Sequence, residues 1–129
     1  MPTRTPVNIS DAESHVMEVL WRAPGSVVAE QVVVALHESK HWQTATVKTL
    51  LNRLLKKGAI AAEKDGRRFL YSAILPREAW LARESESLVQ RLFGGRIAPL
   101  VAHFGSQKKL SQTDIQELRK LIDELDDGK

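Results

Sequence analysis

The chain has 129 residues, 43% hydrophobic and 27% charged, with 19 Lys+Arg, 16 Asp+Glu and no cysteine. That composition suits a globular chain of one domain, or one domain with an appendage, and excludes a disordered one. Lack of cysteine excludes a disulfide framework, a thiolate zinc finger, an iron–sulfur site and a cysteine nucleophile, and no apolar run approaches the roughly 20 residues that cross a bilayer.

The net charge of +3 is unevenly spread. Between Lys40 and Arg68 stand Lys40, Lys48, Arg53, Lys56, Lys57, Lys64, Arg67 and Arg68 against only Glu63 and Asp65. Acids outnumber bases before Lys40, and the two signs balance after Arg68. Such a concentration suits a polyanion, and a solvated basic face accounts for it equally well.

Residues 1–6 are rich in Pro and Thr, are expected to be loose, and carry no signal-peptide pattern. Ser10-Asp11-Ala12-Glu13 is a capping box, in which a serine and a glutamate three residues on satisfy each other's free amides. Ala12, Val16, Val19 and Leu20 follow at helical spacing, so a first helix is predicted over 11–22, broken by Pro24-Gly25. A second helix over 29–38 has Val28, Val32, Ala35 and Leu36 on one face, and Val27-Val28 gives it no capping oxygen. A third helix runs from Thr44 to Lys57 with the stripe Val47, Leu50, Leu51, Leu54 and Leu55, stopped by Gly58. Asp65-Gly66 then reads as the turn of a hairpin between 60–64 and 67–74, with Phe69, Tyr71 and Ala73 on one face of its second strand.

The remainder is helical. Residues 77–93 carry Leu81, Leu88 and Leu92 and end at Gly94-Gly95. A short helix holds Ile97, Leu100, Val101 and Phe104, with Pro99 tolerated in its first turn. Ser111 and Asp114 cap a last helix whose apolar face is Ile115, Leu118, Leu121, Ile122 and Leu125.

Three helices and a hairpin predict a winged helix-turn-helix over 1–75. A helical region over 76–129 follows, for a mostly α chain with a small β wing. The third helix leaves Ala45, Thr49, Asn52, Arg53 and Lys56 opposite its leucines, with Thr46 and Lys48 at the flanks. Short Thr and Ala side chains let a backbone approach base edges, and Arg53, Lys56 and Lys57 can reach phosphates. Such a helix enters a major groove with its first turns innermost. Lys64, Arg67 and Arg68 at the hairpin tip can touch the DNA backbone, or serve only to keep an edge hairpin soluble.

Three apolar-faced helices in about 50 residues are a thin basis for an independent core. Pairing with a second copy through Leu81, Leu88, Leu92, Leu100, Phe104, Leu118, Leu121, Ile122 and Leu125 answers this, and so would folding back on the winged domain. A two-fold dimer would also present two recognition helices about 34–36 Å apart, to successive major grooves. His37 and His41 are four apart with no third ligand, so no metal is expected; no catalytic grouping, phosphate loop or cofactor motif is present, and the chain reads as a non-enzyme.

Ile9-Ser10-Asp11-Ala12-Glu13, then Val16-Met17-Glu18-Val19-Leu20-Trp21, and above all the block Thr46-Val47-Lys48-Thr49-Leu50-Leu51-Asn52-Arg53-Leu54-Leu55-Lys56-Lys57-Gly58 resemble the penicillinase repressor family of the BlaI/MecI/CopY type. The resemblance covers nearly the whole chain. It implies a cytoplasmic, dimeric winged-helix transcriptional repressor on a palindromic operator of TACA/TGTA type, linked to β-lactam resistance. Thr46, Lys48, Thr49 and Arg53 would be its operator contacts. Where some relatives have Ser-Pro-Lys after the tryptophan, this chain has Gln43-Thr44-Ala45. The resemblance also implies relief by a membrane metalloprotease antirepressor system that triggers cutting in the dimerisation region at an Asn–Phe bond, which here corresponds to His103–Phe104. The C-terminal cysteine cluster of copper-responsive members is absent. The alternatives are a winged-helix regulator that senses a small ligand between its halves, and a protein-binding winged-helix scaffold without a DNA role.

Overall fold

The computed structural model describes residues 7–128; the expectation for residues 1–6 lies outside them. The element order is α1 (Asp11–Arg22), β1 (Val27–Val28), α2 (Ala29–Lys40), α3 (Thr44–Lys57), β2 (Ile60–Asp65), β3 (Arg68–Ala73), α4 (Arg77–Phe93), α5 (Ile97–Ser106) and α6 (Gln112–Asp127). The chain divides into two compact units, Met1–Ala82 and Arg83–Lys129.

In the first unit α1 opens on the expected capping box. The Glu13 amide donates to Ser10 Oγ at 3.1 Å, and the Ser10 amide donates to Glu13 Oε1 at 2.9 Å. Val16, Met17 and Leu20 of α1 pack with Val32 and Leu36 of α2 and with Val47, Leu50, Leu51 and Leu54 of α3 into one core, closed below by Ala59 and Ile60. Each fully buried aliphatic side chain of this kind contributes about 1.5–3 kcal/mol. Met17 belongs to that core although the helical stripe read from the sequence left it out. Gly58 has φ +79 and donates its amide to the carbonyls of Leu54 and Leu55, ending α3 as a left-handed stop.

In α2 the helix runs on to Lys40, two residues past the expected end, and two details of the sheet differ from the sequence-based expectation. The sheet has three strands, in the order β1-β3-β2, because Val27 pairs with Tyr71 and Val28 with Leu70. A two-residue strand has no periodicity of its own to betray it. It does answer what starts α2: β1 runs straight into the helix, and Gln31 Oε1 accepts from the Val28 amide at 3.0 Å, the return half of a capping box, while no side chain caps the helix's own first amides. The second correction concerns the hairpin turn. Asp65 pairs with Arg68, so the two-residue loop is Gly66-Arg67 and not Asp65-Gly66. Gly66 has φ +67 and Arg67 does not share the left-handed region, which is the Gly-first pattern of a type II′ turn.

The opening turns of α4 stay with the first unit. Trp21 Nε1 donates to the Leu75 carbonyl at 2.8 Å, the Trp21 and Trp80 rings lie 5.3 Å apart, and Arg77 Nε meets Glu18 Oε1 at 3.2 Å. The second unit is of another kind. Gly94 and Gly95, with φ +60 and +84, separate α4 from α5, and Ser111 and Asp114 form the capping box of α6. No residue of α4, α5 or α6 is buried.

Candidate nucleic-acid interface

Helix α3 is amphipathic in the strict sense. Val47, Leu50, Leu51 and Leu54 are buried, while Ala45, Thr46, Lys48, Thr49, Asn52, Arg53 and Lys56 are exposed. The exposed face therefore contains every residue of this helix expected to contact DNA except Lys57. Its N-terminus has no side-chain cap and no acid in the first turn. Free amides and the positive end of the helix dipole thus stand beside Thr46 and Lys48. Among the described residues no carboxylate lies within ion-pair distance of Lys48, Arg53, Lys56 or Arg67, so these four cations are uncompensated.

Lys57 is different, and its expected phosphate role gives way to a structural one. Its ammonium turns inward to Glu13 Oε1 at 2.5 Å and to the Asn8 carbonyl at 2.7 Å. Glu13 is 2% exposed. Burial by itself raises its carboxyl, and the bond from Lys57, with those from Ser10, brings it below its ordinary value. The pair ties the C-terminal end of α3 to the first turn of α1. A helical period could not show this, because Lys57 sits on the flank between the buried and exposed faces.

The hairpin brings Arg67 and Arg68 to its exposed tip, where Arg68 also meets Asp65 at 3.5 Å. Between hairpin and α3 runs a groove of about 440 Å³, with Lys48 and Asn52 on one wall and Arg67, Arg68 and Phe69 on the other. Phe69 was not among the residues expected to bind. Its signal was present in the alternation that set it beside Tyr71 and Ala73.

The turn before α3 is held by aromatic contacts. His37 Nδ1 lies 3.3 Å from the Trp42 carbonyl, and the His15 ring meets the Trp42 ring edge-on at 5.7 Å. His41 closes α2 in the left-handed region, with φ +60. Among the described residues no three His, Cys, Asp or Glu side chains are grouped to hold a metal.

In the second unit Leu88, Leu92, Phe104, Leu121, Ile122 and Leu125 are exposed, Leu92 by 64% and Leu125 by 77%, and Leu100 and Leu118 are half-buried. Leu81, at the end of the first unit, is exposed as well. The His103–Phe104 bond lies within α5, with the two rings 5.4 Å apart. Among the described residues no helix is long and apolar enough to cross a membrane.

A family model described as Penicillinase repressor matches residues 9–124. Over 116 residues the chain is 34% identical to a penicillinase repressor of Bacillus licheniformis, covering 90% of each chain. It is 31% identical over 114 residues to the methicillin resistance regulatory protein MecI of Staphylococcus aureus (strain N315), covering 88% of this chain and 92% of that one. A solution structure of the DNA binding domain of the repressor BlaI superposes with a TM-score of 0.51 at 38% identity, covering 56% of this chain and 87% of the other.

Proposed function

The chain belongs to the penicillinase repressor family, and from that premise we propose that it is a transcriptional repressor that binds a palindromic operator in the cytoplasm as a homodimer, in a β-lactam resistance circuit. The observation that carries the reading is the exposed face of α3: polar, cationic, free of acids in its first turn and flanked by a basic hairpin. On this reading Thr46 and Thr49 approach base edges, Lys48 and Arg53 contact bases or phosphates, and Lys56, Arg67 and Arg68 contact phosphates. Nothing in the chain is asked to perform catalysis.

Dimerisation is supported by the second unit, whose helices bury no residue and expose a run of leucines. Apolar surface on that scale is what a second copy would cover. Residues 76–129 would then join two DNA-reading domains of residues 1–75. Cleavage at His103–Phe104, triggered by a membrane metalloprotease system, would separate them. The affinity gained by linking two half-site binders would be lost with the link.

The test is binding of the full chain to a duplex carrying TACA and TGTA half-sites, against a duplex with the same bases shuffled. Tight binding to the palindrome that weakens steeply with salt is expected. Equal binding to both duplexes would remove sequence-specific repression from the reading.

A further inference from the structure

The hairpin is longer than the core beneath it. Tyr71 and Ala73 pack against the core, but Phe69, next outward on the same face of β3, reaches past it and is 48% exposed. Its cross-strand neighbour is Lys64. About half of a large aromatic ring is thus left open to solvent near the tip of a cationic hairpin.

The ring is not isolated. It lines the groove that faces Lys48 and Asn52 of α3, between Arg67 and Arg68 of its own hairpin and Tyr71. Among the described residues Glu30 is the one carboxylate in that lining, against Lys48, Arg67 and Arg68, so cations prevail there. Cationic groups and an apolar ring thus line the same groove. A sugar–phosphate strand offers a match to both, an anion and a largely apolar deoxyribose face. Phe69 lies in the groove between Lys48 and Asn52 of α3 and the arginines of the hairpin tip.

Resting on the DNA-binding reading, we propose that this groove seats one sugar–phosphate strand of the operator. Lys48, Arg67 and Arg68 take its phosphates, and Phe69 packs on its deoxyribose. The two kinds of contact differ in how they respond to salt. Phosphate contacts release counterions, and each adds about 0.9 to the slope of log affinity against log salt. An apolar contact releases none, so Phe69 adds affinity without adding slope.

The experiment measures operator affinity of the full chain across a salt series. The active fraction of each variant is titrated at saturating DNA, so that unfolded protein does not pass for weak binding. Phe69→Ala is expected to bind about fivefold more weakly at every salt concentration, with an unchanged slope. Phe69→Leu, which keeps apolar volume, is expected to recover most of the loss. Arg67→Ala is expected to lower the slope by about one. Wild-type affinity in Phe69→Ala, or a slope change equal to that of Arg67→Ala, overturns the proposal for Phe69. Failure of the unaltered chain to show salt-dependent operator binding would instead overturn the DNA-binding reading beneath it.

Discussion

The two units of this chain solve the folding problem differently. Between Ile9 and Ile60 the first unit gathers a closed core in which Val16, Met17, Val32, Val47 and Leu54 see no solvent. The second has well-formed helices, with a capping box on α6 and a double-glycine break after α4, yet no residue of those helices is fully buried. Local signals place the helices along the chain, but helices this short draw most of their stability from packing, and only packing makes a core. The first unit carries a closed core within itself, while the second leaves a run of apolar side chains exposed on its helices.

The contrast is open to being broken at each end. Leu54→Ala should cost the first unit about 2–5 kcal/mol, because the cavity lies where three helices meet and cannot collapse. A urea midpoint within error of the unaltered protein would mean that the core is not closed there. In the second unit Leu118→Asp should leave the first unit's unfolding unchanged but yield monomers in sedimentation, since a carboxylate cannot be buried unpaired in an interface. Operator affinity should fall by about 100-fold with it. Persistence of the dimer would move the interface off α6. Arg53→Ala, on the exposed face of α3, should lose about 1–3 kcal/mol of operator binding with no change in stability. Unchanged affinity would take Arg53 out of the interface.

The smallest expected effect concerns Glu13 and Lys57. Glu13 is held below its ordinary value, so its contribution is present above the unfolded carboxylate's pKa and is lost as pH falls through the folded one. Lys57→Met removes the ammonium and leaves burial to raise that carboxyl. The variant should be about 1–2 kcal/mol less stable at pH 7, a modest figure because the Lys57 side chain is a third exposed. The gap should narrow at pH 4, where a raised carboxyl is protonated at no further cost. Urea midpoints at the two pH values check this, and a gap independent of pH would show that the pair acts by packing alone.

Most of this was legible where the signal is local. Ser10 with Glu13, Ser111 with Asp114, Gly58 after the leucine stripe, and Pro99 in a first turn each announce their structure within a few residues. The exposed face of α3 was legible for the same reason, since one helical period separates it from the leucines. What escaped depends on partners distant in the chain. β1 exists only because Tyr71 and Leu70 stand across from it. The turn slid to Gly66-Arg67 because the ladder brings Asp65 opposite Arg68, whereas an Asp-Gly pair taken alone favours a turn centred one residue earlier. Lys57 looked like one more phosphate ligand until Glu13 and Asn8, more than forty residues away, were seen to hold it.

In the proposed dimer two DNA-reading units act together because their helical regions join them. Fluorescence anisotropy of the full chain on a complete palindrome, compared with a duplex holding a single half-site at the same salt, tests it most directly. The expected result is binding to the palindrome tighter by about two orders of magnitude, with two chains per duplex. Equal affinity for the two duplexes, with one chain on each, would contradict it.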